Sequence, residues 1–170
     1  RDELIIFAEQ GARSDSLYFL LVSLSTIVAS IGLLQNNIAV VIGAMVIAPL
    51  LGPNLSFALG VALGEFSLAR RAMVSFVQGI TLAFVLSLLV GKCWPEGPLS
   101  SEILSRTVSG LDSPLLALAS GTAAVLSMTS GIQGVMVGVM VAVALMPPLA
   151  TSGILLGLGK FDLALGAMLL

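Results

Sequence analysis

Residues 38–73 read IAVVIGAMVIAPLLGPNLSFALGVALGEFSLARRAM, and residues 133–168 read QGVMVGVMVAVALMPPLATSGILLGLGKFDLALGAM. Laid over one another at an offset of 95, without a gap, the two stretches share 13 identities in 36 positions. Biased composition inflates such a count, but Gly43 on Gly138, Pro53 on Pro148, Gly64-Glu65-Phe66 on Gly159-Lys160-Phe161 and Ala72-Met73 on Ala167-Met168 are matches that apolar bias does not supply. The chain therefore reads as two copies of one unit.

Working outward, that unit is a membrane unit. Of 170 residues, 58% are hydrophobic and 9% charged, against about 25% charged in a soluble domain. Residues 16–64 contain no Asp, Glu, Lys or Arg, and neither do residues 113–159. A helix needs roughly 20 apolar residues to cross the hydrocarbon, so each run holds two spans. The periodicity predicts spans at 17–35, 38–63, 72–91, 114–130 and 133–158, with a sixth starting near Leu163. The expected fold class is an all-α polytopic transmembrane helical bundle of two three-helix repeats, the second truncated. Three spans per copy is an odd number, so the copies enter the membrane in opposite senses and the repeat is inverted. Inverted repeats are frequent in secondary transporters, with the binding site near the midplane between the copies.

The expected organisation is a polar lead-in over 1–15 from an upstream region, a first repeat over 16–91, an external interfacial loop over 92–112 and a second repeat over 113–170. The lead-in carries four acids and two arginines, the wrong charge for a cleaved leader. Asp15 or Ser16 is expected to cap the first helix. The loop holds Trp94, Pro95, Pro98, five charged residues and a short amphipathic piece around 99–108. Arg70 and Arg71 follow the second span, while Leu165 and Gly166 stand at their repeat positions. Positive charge prefers the cytoplasm, which puts the N-terminus and the 65–71 loop inside a prokaryotic inner membrane and the 92–112 loop outside.

The prolines carry the functional argument. Pro49, Gly52, Pro53, Asn54 and Ser56 interrupt the second span, and Pro147, Pro148, Thr151 and Ser152 interrupt its repeat mate. Proline removes a donor and clashes with the preceding turn, and loosened backbone at membrane depth is tolerated only against protein or a watery cavity. Both helices are expected to break or kink and to share a polar, substrate-binding centre. The bland alternative is a packing kink healed by Ser and Thr. Asn36 and Asn37, with Gln133 at the matching place, are either a plain turn or an external gate. Gly60 with Gly64, Gly134 with Gly138, and Gly153 with Gly157 are small-xxx-small pairs expected to be helix contact faces. Ser23, Ser25, Thr26 and Ser30 share a face of the first span, which packing through small residues explains.

Other chemistry finds no residues. The chain has no His and a single cysteine, Cys93, and no span contains a carboxylate. Neither a metal site, nor a cofactor, nor an enzymatic nucleophile with its base is expected. Without a basic tract, a nucleic-acid partner is not expected either; lipid bilayer is, and a homo-oligomer or a fused soluble domain fits the same reading.

The run Ile31-Gly32-Leu33-Leu34-Gln35-Asn36-Asn37, continuing through Ala48-Pro49-Leu50-Leu51-Gly52-Pro53, resembles the signature of the DUF389 family of uncharacterised prokaryotic hydrophobic membrane proteins. Ala144-Leu145-Met146-Pro147-Pro148-Leu149-Ala150 is similar to that family's second motif. The resemblance implies a prokaryotic inner-membrane protein, often with a soluble domain outside the core, and brings no substrate. The leading expectation is a transporter or channel-like permease for a small solute or ion. The competing one is a membrane scaffold or sensor that anchors a soluble domain and transports nothing.

Overall fold

The computed structural model describes residues 15–49, 51–94, 99–107 and 134–169, together with positions 115, 118, 119, 121–123 and 126. Among them there is no strand, and the expected span over 114–130 falls largely outside them. Seven helices are described: α1 (Ser16–Leu34), α2 (Ile38–Ile47), α3 (Leu51–Leu63), α4 (Phe66–Cys93), α5 (Ser101–Ser105), α6 (Gly134–Gly157) and α7 (Phe161–Met168).

Helix ends follow from local chemistry. Asp15 stands at the start of α1 in an extended conformation, but its side chain makes no capping bond; only its carbonyl contributes, accepting from the Phe19 N–H at 3.3 Å. α1 ends where Asn36 takes φ 56°, a region that Asn enters more readily than most residues. Asn37 then caps α2 by accepting from the Val40 N–H at 3.2 Å. α2 ends at Ala48, which precedes Pro49 and is extended at ψ 117°, because the proline ring disfavours a helical residue before it. α1 and α4 are each long and apolar enough to cross a membrane, and α2 with α3 make a third such unit bent by 55°.

α4 is the axis of the assembly, and small residues make it so. Ala72, Ser75, Gly79, Ala83, Ser87 and Gly91 recur at helical spacing, and all are buried. Tyr18 donates to the Ser75 carbonyl at 3.2 Å and Ser30 to the Ser87 hydroxyl at 3.4 Å, so α1 runs parallel to α4. α6 does too: a methyl on Gly153 would sit 2.6 Å from Ser87 Cβ, and one on Gly157 would strike the backbone of Leu88 and Lys92. Backbones this close need small residues on at least one side.

Two turns have the same geometry. Gly64 and Gly159 both adopt φ 74°. The Glu65 N–H donates to the Gly60 carbonyl at 2.8 Å and the Lys160 N–H to the Leu155 carbonyl at 2.9 Å, six-residue closures of the Schellman type. Gly64 lies just before the start of α4, whereas Gly159 follows the glycine that meets its far end. The matching turns thus occupy opposite ends of a helix about 42 Å long at 1.5 Å per residue.

Gly64 therefore does a different job from a contact glycine: nothing lies within 4 Å of an added methyl, and the requirement is positive φ. Gly60 is the contact, with a methyl there 2.7 Å from the Ala69 nitrogen. Gly64→Ala and Gly159→Ala should each destabilise by about 1 kcal/mol, the strain of a left-handed alanine. Gly157→Ala should cost more, because backbone atoms of α4 must move. Unfolding in detergent would rank them, and an equal or smaller loss for Gly157→Ala would contradict this packing.

Candidate functional site

The interruption in the first copy is a true break. A helix running through it would need the Pro49 nitrogen to donate to the Met45 carbonyl and the Pro53 nitrogen to the Pro49 carbonyl, and proline has no such hydrogen. By restarting at Leu51, the chain places Pro53 in the first turn of α3, where the missing donor would have had no intrahelical partner anyway. The restart leaves the N–H groups of Leu51 and Gly52 without intrahelical acceptors. At the other side of the break the Ala44 carbonyl accepts from the Ala48 N–H at 3.1 Å and from the Ser25 hydroxyl of α1 at 2.7 Å.

At the second interruption, where a break or kink is expected, the break does not occur. α6 is one helix from Gly134 to Gly157 with Pro147 and Pro148 inside it. Packing is the physical reason. Met146, Pro147 and every residue from Ala150 to Leu155 are buried, and Gly153 and Gly157 are set against the α4 backbone, so tertiary contact holds the helix through a proline pair that local preference disfavours. The carbonyls of Val143 and Ala144 still lose their usual donors, since those would be the nitrogens of Pro147 and Pro148.

The two proline segments meet. Ala44, Met45 and Ala48 from the end of α2 share one buried cluster with Met146, Ala150, Ile154 and Leu155 of α6 and with Ala29 and Leu33 of α1. Of the sequence-predicted residues, Pro53 and Ser56 are buried and Pro49, Gly52 and Asn54 are half-buried; on α6, Pro147, Thr151 and Ser152 are buried and Pro148 is half-buried. Asn36 and Asn37 lie in the α1–α2 turn, and Asn36 bonds to α5 rather than to the proline centre. Gln133 lies outside the described residues, and for Gly134 and Gly138 only their place in α6 is described.

One hydroxyl stands apart. Ser23, Thr26, Ser56, Thr81 and Ser87 each fold the side chain back and donate to the carbonyl four residues earlier, at 2.7–2.8 Å. Ser152 donates to the Leu149 carbonyl at 2.8 Å. Thr151, at the repeat position of Ser56, is fully buried, and among the described residues its Oγ1 has no partner. A buried hydroxyl without a partner costs about 1–3 kcal/mol, so its retention beside the proline pair needs a reason. Sequence reasoning singled out Thr151 but missed the buried Ser75 and Ser87 of α4, which the regular small-residue stripe of that helix could have revealed.

A model of the family described as "Domain of unknown function (DUF389)" matches residues 45–170. The chain belongs to the DUF389 family. The family match includes both proline segments and all of α3, α4, α6 and α7. An uncharacterised protein of Methanocaldococcus jannaschii is 35% identical over all 170 residues. The chain spans about half the length of that relative, 53% of it. No solved structure matches this DUF389 chain.

Thr151→Val keeps the shape of the side chain and removes the orphaned hydroxyl. The variant should be more stable by about 1 kcal/mol, read as a raised midpoint in a thermal-unfolding scan of the detergent-purified protein. A lowered midpoint would mean that the hydroxyl has a structural partner.

Proposed function

We propose that the chain is the polytopic membrane core of a permease for a small solute or ion, built as an inverted repeat, with its site where the α2–α3 break meets the proline turn of α6. The observation that carries the reading is the conjunction at that point of a 55° break, withdrawn backbone donors and the unpartnered Thr151 hydroxyl. In an apolar surrounding, such groups are tolerated against protein or along a path that carries water or cargo, and a permease uses the second.

Membrane insertion is supported by the outer faces. Leu17, Leu20, Leu24 and Ile27 lie along one side of α1 and Val74, Val77, Val85 and Leu89 along α4, all exposed. Water does not tolerate stripes of that extent, and lipid does. The inverted arrangement is supported by the Gly64 and Gly159 turns at opposite ends of α4. Arg70 and Arg71, exposed at the end of α4 near the start of α1, support a cytoplasmic N-terminus in a prokaryotic cell membrane. The centre offers hydroxyls and backbone groups with no formal charge nearby in sequence, which suits hydrogen-bonding solutes and disfavours strongly cationic cargo. Among the described residues, no base is bonded to Thr151, and we assign no enzymatic step. The scaffold reading draws on the unbroken α6, which leaves only one of the two expected interruptions as an opening.

The test is permeation of urea, glycerol and chloride into vesicles that hold the full-length protein. Pro49→Ala restores a donor for the Met45 carbonyl and favours a continuous helix by about 3 kcal/mol. It should slow permeation of the accepted probe at least about ten-fold, and Thr151→Val should slow it while raising stability. Undiminished permeation in both variants would remove the site from this place, and no permeation of any probe by the parent would favour the scaffold.

A further inference from the structure

Residues 99–107 lie at one end of the assembly, and their contacts reach two separate parts of the chain. Ser100 caps α5 by accepting from the Ile103 N–H at 3.2 Å, and its hydroxyl donates to the Leu33 carbonyl in the last turn of α1. Asn36 Oδ1 accepts twice, from the Ser101 hydroxyl at 2.8 Å and from the Glu102 N–H at 3.1 Å. Ile103 is fully buried in the cluster that contains Leu33 of α1 and Ala164 and Ala167 of α7. Beside it, a methyl on Gly166 of α7 would strike the Thr107 carbonyl. Arg106 and Glu102 form an ion pair at 3.3 Å along the segment.

A five-residue helix has almost no stability of its own, so α5 is ordered by what it docks on. Its polar bonds go to the end of α1 and the α1–α2 turn, and Thr107 just after it lies against Gly166 of α7; these lie in different copies of the repeat. Most of that tie converges on one side chain. Asn36 serves the turn through its positive φ and serves α5 through its amide oxygen, and the two roles are chemically separable.

We propose that residues 99–107 are a latch that ties the two copies together at this end, and that a path from this end to the proline centre opens only when the latch releases. The second half rests on the permease reading; the first half does not.

Hydrogen exchange of the full-length protein, with mass-spectrometric readout, separates them. Asn36→Gly keeps the left-handed turn and removes the acceptor; Asn36→Asp keeps both. In Asn36→Gly the amides of Glu102 and Ile103 should exchange at least about ten-fold faster, the expected loss of two bonds worth a factor of several each. Exchange in α1 and α4 should be unchanged, and Asn36→Asp should match the parent. Unchanged exchange at Glu102 and Ile103 in Asn36→Gly would overturn the latch. In the same vesicles, urea or glycerol should enter at least about two-fold faster through Asn36→Gly than through the parent. Faster exchange without faster entry would overturn the gating half and leave a clasp. A parent that admits no probe would sink the permease reading and the gate with it, while exchange alone would still decide the clasp.

Discussion

Every peptide group that leaves water must find a partner inside the protein, and this constraint shapes the chain more than any side-chain contact. α1 and α4 meet it by uninterrupted helix. Where proline withdraws a donor, the chain uses one of two remedies. It stops and restarts so that the proline falls into a first turn, as at Pro53, or it keeps the helix and buries Met146 and Pro147 against neighbours, as at the Pro147-Pro148 pair. Asn36, Gly64 and Gly159 supply the remaining closures by taking positive φ, which brings an N–H back onto a carbonyl that would otherwise end unpaired.

Those closures are compatible with close packing because α4 presents almost nothing on its inner face. Its stripe of Ala, Ser and Gly lets α1 and α6 approach to backbone distance, and the Ser87 hydroxyl bonds back to the Ala83 carbonyl of its own helix. Close approach explains how a protein with exposed leucines and valines on its outside keeps a defined interior: the specificity lies in where backbones touch, since leucine packs as well against lipid as against leucine. The same approach explains the continuity of α6. Breaking it at Pro147 would pull Gly153 and Gly157 away from α4 and lose more than the missing bonds return.

Much of this was legible in residues. Charge-free runs located α1, the α2–α3 unit and α6 to within a few positions, and the offset of 95 aligned Gly64 with Gly159, although Gly64 reads in sequence as a contact glycine and not as a turn with positive φ. α4 proved longer than the expected 72–91 because Arg70 and Arg71 are readily helical, although charge reads as loop in an apolar background. The break at Pro49 was legible because the residue before a proline avoids the helix. The intact α6 was not, since local sequence disfavours a helix there and only its neighbours in space restore it. For the same reason α5 read as an interfacial piece: Ile103 is buried in a cluster whose other members are far from it in sequence.

The difference between the two proline segments is itself informative. At the offset of 95, Pro53 and Pro148 coincide, whereas Pro49 stands opposite Ala144 and Pro147 opposite Gly52. Prolines four apart, as at 49 and 53, would put both missing donors on one face of a continuous helix, and a break between them relieves both. Adjacent prolines, as at 147 and 148, deprive two neighbouring carbonyls about 100° apart around the helix, so a kink that relieves one does not relieve the other. Copy one therefore restarts and exposes the amide end of α3, while copy two stays helical and keeps bare carbonyls. On the proposed reading the centre is chemically two-sided, one copy contributing backbone donors and the other backbone acceptors, with Thr151 able to serve as either. A solute carrying both a donor and an acceptor, such as urea, matches that pair better than a simple ion.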